Sequence, residues 1–125
     1  MKFAAWYGIL VGLLMIAQWT FSILSGGVPE LENAPWEIAF HLAAEMSTAV
    51  MLLIGGIAAL RSEAWSTQIL LLGLGMVIYS EIVSPGYFAQ LNQGALVAMF
   101  ASLLFGAVVA AIQLLSEKIH WIEGA

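Results

Sequence analysis

The sequence contains no cysteine and no aspartate, and only three of its 125 residues are lysine or arginine. The lack of cysteine excludes disulfide bonds, thiolate metal ligands and thiol nucleophiles. Nucleic acid is not an expected partner, because phosphate binding needs clustered basic side chains. No Ser-His-Asp set, phosphate-binding glycine loop or dinucleotide fingerprint is present, so the sequence gives no indication of an enzyme and requires no cofactor.

Charge of either sign is scarce throughout the chain. Charged residues make up 9% and hydrophobic residues 62% of the sequence. A soluble domain carries roughly a quarter charged residues, because water must solvate its surface. The composition therefore predicts an integral membrane protein, with the lipid bilayer as its surroundings, and residues 1–125 as one small bundle.

Four apolar stretches are long enough to cross a hydrocarbon core of roughly 30 Å at about 1.5 Å per residue. They cover about residues 3–25, 36–60, 64–83 and 94–115. Pro85 and Gly86 are expected to end or kink the third helix and to act as a hinge. The first stretch is longer than the apolar region of a typical signal peptide, which favours a retained helix over a cleaved leader.

The three basic residues predict the orientation of these helices. Lys2 precedes the first stretch, Arg61 lies between the second and third, and Lys118 follows the fourth. Both termini in the cytoplasm would place all three charges on the side that the positive-inside rule requires. The predicted fold is an all-α, four-transmembrane-helix antiparallel bundle in the cell membrane, with both termini cytoplasmic.

Small residues recur every four positions in the fourth stretch and more briefly in the first. Such a stripe lets another helix backbone approach closely. We expect it to be a helix-packing surface, either within the chain or in a homo-oligomer, which four short helices favour. The residues concerned are Gly94, Ala98, Ser102, Gly106 and Ala110, with Gly8 and Gly12 in the first stretch.

Ionisable side chains follow one face of the second stretch. Glu37, His41 and Glu45 stand four residues apart, and Glu45 lies roughly 15 Å along the helix from Pro35, near mid-membrane. A carboxylate at that depth must be protonated, paired or hydrated, so it indicates a functional site. The third and first stretches supply further polar groups at similar depth, and we expect them to complete an outward-facing pocket: Glu81, Tyr79 and Gln18.

Three functions remain open from these residues. The first is binding and transport of a proton, a cation or a small ligand through the Glu/His pocket. The second is a scaffold or accessory subunit, in which buried polar groups fix helix packing against a larger membrane partner. The third is an intramembrane metal or haem site, since Glu37, His41, Glu45 and Glu81 offer nitrogen and oxygen ligands.

Overall fold

The computed structural model describes the backbone of residues 2–124 and the side chains of residues 2–117. Within this range every regular element is an α-helix. In chain order the helices are α1 (Lys2–Leu24), α2 (Glu30–Asn33), α3 (Pro35–Leu60), α4 (Ser66–Gln90) and α5 (Gly94–Gly124). Four of them, α1, α3, α4 and the part of α5 up to residue 117, are long and apolar enough to cross a membrane. The prediction of an all-α chain with four such helices is confirmed.

The four long helices form an up-and-down bundle. Helix α1 packs on α3, α3 on α4 and α4 on α5, and α5 returns to contact α1. Early residues of α1 meet late residues of α3, as where Gly56 lies against the carbonyl of Ala5 and Gly12 against that of Ala49. Neighbouring helices therefore run antiparallel, and α2 occupies the connection between α1 and α3.

The same kind of turn ends α1, α3 and α4. Gly26, Ser62 and Asn92 adopt φ values of +74°, +59° and +59°. The next residue in each case donates its N–H to a carbonyl five residues earlier, at 2.9 to 3.0 Å. These are Schellman caps, which satisfy the last carbonyl groups of a helix. Ser62 and Asn92 hold a conformation that glycine adopts more easily.

Helix α4 continues through Pro85 and Gly86 as far as Gln90. Of the two predicted effects of this dipeptide, an end of the third helix is therefore wrong, and a kink stays a prediction. Proline removes only one helical hydrogen bond, the one that the Glu81 carbonyl would accept, and the remaining backbone bonds carry the helix onward. The helix ends instead at the left-handed Asn92. A hinge at Pro85 stays a prediction.

Helix α5 also continues beyond its predicted end at about residue 115, and its backbone is helical to Gly124. The side chains of Lys118 and His120 lie outside the described residues. The backbone of α5 beyond residue 113 lies at the same end of the bundle as the start of α1, because the Ala4 N–H donates to Gln113 Oε1 at 3.0 Å.

Glycines bring the helices of the bundle into close contact. A Cβ atom at Gly55 would lie 2.7 Å from the backbone N and Cα of Leu70, so α3 and α4 touch there through their backbones. Gly8 and Gly12 pack against the α3 backbone, as the small-residue pattern of α1 predicts. Large buried side chains fill the remaining space of the core, namely Leu52, Leu70, Leu74, Leu114 and Val77.

The small-residue stripe of α5 is divided between two environments. Gly106 lies against the ring of Tyr7, and Ala110 is fully buried. A Cβ atom at Gly94 would meet nothing within 4 Å, and Ala98 and Ser102 lie in the half of the stripe that is not fully packed. Only the second half of the stripe is therefore a close packing surface within the chain.

We predict that Gly55→Ala lowers the free energy of unfolding by about 1–3 kcal/mol, because its methyl group would overpack the α3–α4 contact. Gly75→Ala is the matched control, since nothing lies within 4 Å of a Cβ at Gly75 on the same pair of helices. The control should be neutral or stabilising by at most about 1 kcal/mol, since alanine is the better helix former. Unfolding in mixed micelles measures both; equal losses would contradict the packing described here.

Candidate functional site

Helix α3 presents His41 and Glu45 toward α4, one helical turn apart. The His41 Nε2 atom lies 3.9 Å from Glu45 Oε1, close enough for an ion pair when the imidazole is protonated. The His41 side chain is 47% exposed and that of Glu45 only 12% exposed. The ring of Trp19 on α1 meets the His41 ring edge-on, with centroids 5.5 Å apart. Two of the predicted site residues therefore lie together.

Helix α4 contributes the hydrogen-bond donor to this pair. The Ser80 hydroxyl donates to Glu45 Oε1 at 2.7 Å and so links α4 to α3. Tyr79, a predicted member of the pocket, is 71% exposed beside it. The partner of Glu45 on α4 is thus the serine next to Glu81, since a one-residue step turns a side chain by about 100° around a helix.

These side chains line an open groove of about 610 Å³ between α3 and α4. Its walls are largely apolar, with Leu71, Leu72 and Met76 among them. Its polar groups come from His41, Glu45, Thr48, Tyr79, Ser80 and Ser84. The volume falls within the roughly 300–1,000 Å³ of small-molecule sites, which are typically apolar with a few polar groups. We call this feature the α3–α4 groove.

The groove does not include every residue that the sequence pattern suggests. Glu37 and Gln18 are exposed and do not line it. Thr48 is a buried residue of the groove wall. The Thr48 hydroxyl donates to the carbonyl of Ala44 on the same helix at 2.8 Å. The hydroxyl donor of Thr48 is therefore already used.

Glu81 lies apart from the groove, inside the bundle. It is 3% exposed, and its Oε1 atom lies 3.3 Å from the hydroxyl oxygen of Tyr7 on α1. Its Oε2 atom is buried and has no hydrogen-bond partner among the described residues. The single pocket expected from Glu45 and Glu81 is thus two sites, one open and one enclosed, on different faces of α4.

Sequence reasoning missed Tyr7, which joins α1 to both α4 and α5. Besides its contact with Glu81, its hydroxyl lies 2.6 Å from the carbonyl oxygen of Leu103. The sequence does contain a feature that singles out this residue, since Tyr7 carries the only side-chain hydroxyl among residues 2–19. A buried tyrosine hydroxyl normally has a hydrogen-bond partner, so an isolated one in an apolar stretch indicates a polar group on a neighbouring helix.

The proposed metal ligands are not assembled. Among the described residues, no three His, Asp or Glu side chains stand close enough together to hold a metal ion. Glu37 is outside the groove, and Glu81 faces the bundle interior, which leaves His41 with Glu45. Two side-chain ligands are fewer than the three that catalytic zinc sites use.

Comparison with known proteins supplies a family but no activity. No curated protein and no solved structure matches the sequence. Residues 1–123 match a family described as Domain of unknown function (DUF8058). The match covers nearly the whole chain, and this protein therefore belongs to that family.

Proposed function

We propose that the four long helices cross a cell membrane with both termini in the cytoplasm. The support is their length and mean hydropathy, which ranges from 1.7 to 2.5. Many large apolar side chains also point away from the bundle, such as Leu10, Phe40 and Phe105. Lys2 and Arg61 lie at one end of the bundle, as the positive-inside rule requires for the cytoplasmic side.

Labelling of single cysteines tests this orientation, and the chain has no native cysteine to interfere. In intact cells, a membrane-impermeant maleimide should label Glu32→Cys in the connection between α1 and α3. It should label Ser62→Cys, in the turn between α3 and α4, only after the membrane is permeabilised. The reverse pattern would contradict the proposed orientation.

We propose that the α3–α4 groove binds a small organic cation as the first step of transport. The observation that supports this is Glu45, a carboxyl group in a largely apolar groove that is lined by no lysine or arginine among the described side chains. Lys2 and Arg61 both lie at the far, inner end of the helices. A carboxylate in such surroundings gains a great deal from a cationic partner, because the local dielectric constant is low.

The shape of the groove favours an organic cation over a bare metal ion. A volume of about 610 Å³ is far larger than one ion needs, and the apolar walls offer contact to hydrocarbon groups. The half-exposed His41 lies at its outer part, so water and solutes would enter from that end.

Binding of tetraphenylphosphonium, an apolar monovalent cation, tests the proposal by calorimetry in lipid nanodiscs. Glu45→Gln should weaken binding by at least roughly tenfold, which corresponds to about 1.4 kcal/mol. Glu37→Gln is the matched control, because Glu37 lies on the same helix outside the groove, and its affinity should equal that of the wild type. Absence of binding, or equal affinity in Glu45→Gln, would contradict the proposal.

A second function, that of a scaffold, is favoured by the hydrogen bond from Ser80 to Glu45. This bond joins α3 to α4 and would fix their register, for assembly of a homo-oligomer or with a larger membrane partner. The small residues Gly94, Ala98 and Ser102 offer a surface for such assembly. The scaffold role predicts that Glu45→Gln, whose amide oxygen still accepts from Ser80, keeps both stability and assembly, while Glu45→Leu loses them.

A further inference from the structure

The enclosed site around Glu81 has a chemistry of its own. It lies where α1, α4 and α5 meet, and none of its members lines the α3–α4 groove. Glu81 is only 3% exposed, and its Oε2 atom has no partner among the described residues. An ionised carboxyl group in that position is costly, because buried charges in proteins are normally paired or hydrogen-bonded and this oxygen has no partner.

The hydrogen bonds of the Tyr7 hydroxyl indicate whether the Glu81 carboxyl group carries a proton. The Tyr7 hydroxyl has one hydrogen to donate, and two acceptors lie near it. The Leu103 carbonyl oxygen is at 2.6 Å and Glu81 Oε1 is at 3.3 Å. The Leu103 carbonyl oxygen has no hydrogen of its own, so the short contact requires that Tyr7 donate its hydrogen to Leu103. The Tyr7–Glu81 contact is then a hydrogen bond only when the carboxyl group carries the proton and donates it to the phenol oxygen.

The charges around Glu81 lead to the same conclusion. On α1 the titratable neighbour of Glu81 is Tyr7. On α3 it is Glu45, which lies on the groove side of α4 and whose carboxylate would repel a negative charge at Glu81. Helix α5 is linked to Glu81 through Tyr7, whose hydroxyl contacts the Leu103 carbonyl oxygen. The titratable group Glu117 lies roughly 21 Å farther along α5 than Leu103. Among the described side chains no cation faces Glu81.

The backbone at this point is also rich in acceptors. Because Pro85 has no N–H, the carbonyl oxygen of Glu81 loses its donor from the following helical turn. The carboxyl group and the carbonyl of the same residue are therefore both short of hydrogen atoms. A proton on the carboxyl group removes its charge and supplies the hydrogen for the contact with Tyr7, and it needs no cavity to hold it.

We propose that Glu81 is a proton-binding site of this protein, separate from the α3–α4 groove. Its neutral carboxyl group donates a hydrogen bond to the oxygen of Tyr7, and Tyr7 donates its own hydrogen to the Leu103 carbonyl. The site does not depend on what the groove binds. Tyr7 also places a proton-bearing group between Glu81 and the inner end of the bundle, a region in which the helices are otherwise largely apolar.

Infrared spectroscopy of the protein in lipid bilayers at neutral pH tests this assignment. The wild type should show the carbonyl stretch of a protonated carboxylic acid, and Glu81→Gln should lose it. Glutamine has nearly the shape of a neutral glutamic acid, so this variant should fold. Glu45→Gln is the matched control and should keep the Glu81 band. A wild-type spectrum without the band, or a Glu81→Gln spectrum that retains it, would overturn the proposal.

Tyr7→Phe distinguishes the proposed hydrogen bond from a carboxylic acid that is merely buried. Without the phenol oxygen the carboxyl group loses its acceptor, so its band should persist and move to higher frequency. An unmoved band would contradict the bond to Tyr7. The groove can be judged separately: tetraphenylphosphonium binding that survives Glu81→Gln would leave the groove proposal intact whatever the infrared result.

Discussion

A carboxyl group that leaves water must find a hydrogen-bond donor, a cation or a proton, and this requirement applies to two glutamates in the middle of long apolar helices. Glu45 has the Ser80 hydroxyl at 2.7 Å and an open groove beside it. Glu81 has Tyr7 at 3.3 Å and a buried, unpartnered oxygen among the described residues. Glu45 is therefore open to a solute in the groove, whereas Glu81 is enclosed, and the roles that we propose for them follow from this difference in access.

Close packing produces this difference. The α3 and α4 backbones touch at Gly55 and Leu70, near the turn that joins the two helices, and α1 approaches α3 through Gly8 and Gly12. Farther along, Gly75 has nothing within 4 Å of a Cβ position, and the same two helices leave room for the groove. The bundle is thus tight at one end and open along one side at the other. The groove and the enclosed site lie on different faces of α4, where the consecutive residues Ser80 and Glu81 point.

Much of the architecture follows from the sequence, because length and hydropathy decide which segments form long apolar helices. The four-residue spacing of His41 and Glu45 also predicts that they share a face. The partners across helices could not be predicted, since they depend on the rotation of each helix about its axis. Hence Ser80, not Glu81, reaches Glu45, and the isolated hydroxyl of Tyr7 indicates a polar neighbour without identifying the helix that supplies it. Pro85 led to the wrong helix end because one lost hydrogen bond does not stop a helix whose other bonds remain.

Our proposals require that water reach Glu45 through the α3–α4 groove while the exposed face of α1 meets hydrocarbon. A spin label at Gly75→Cys, on the groove wall, can measure this access in lipid bilayers, with Leu10→Cys on the exposed face of α1 as the control. We expect a water-soluble nickel chelate to relax the label at position 75 and only oxygen to relax the label at position 10. Relaxation by oxygen alone at both positions would contradict it.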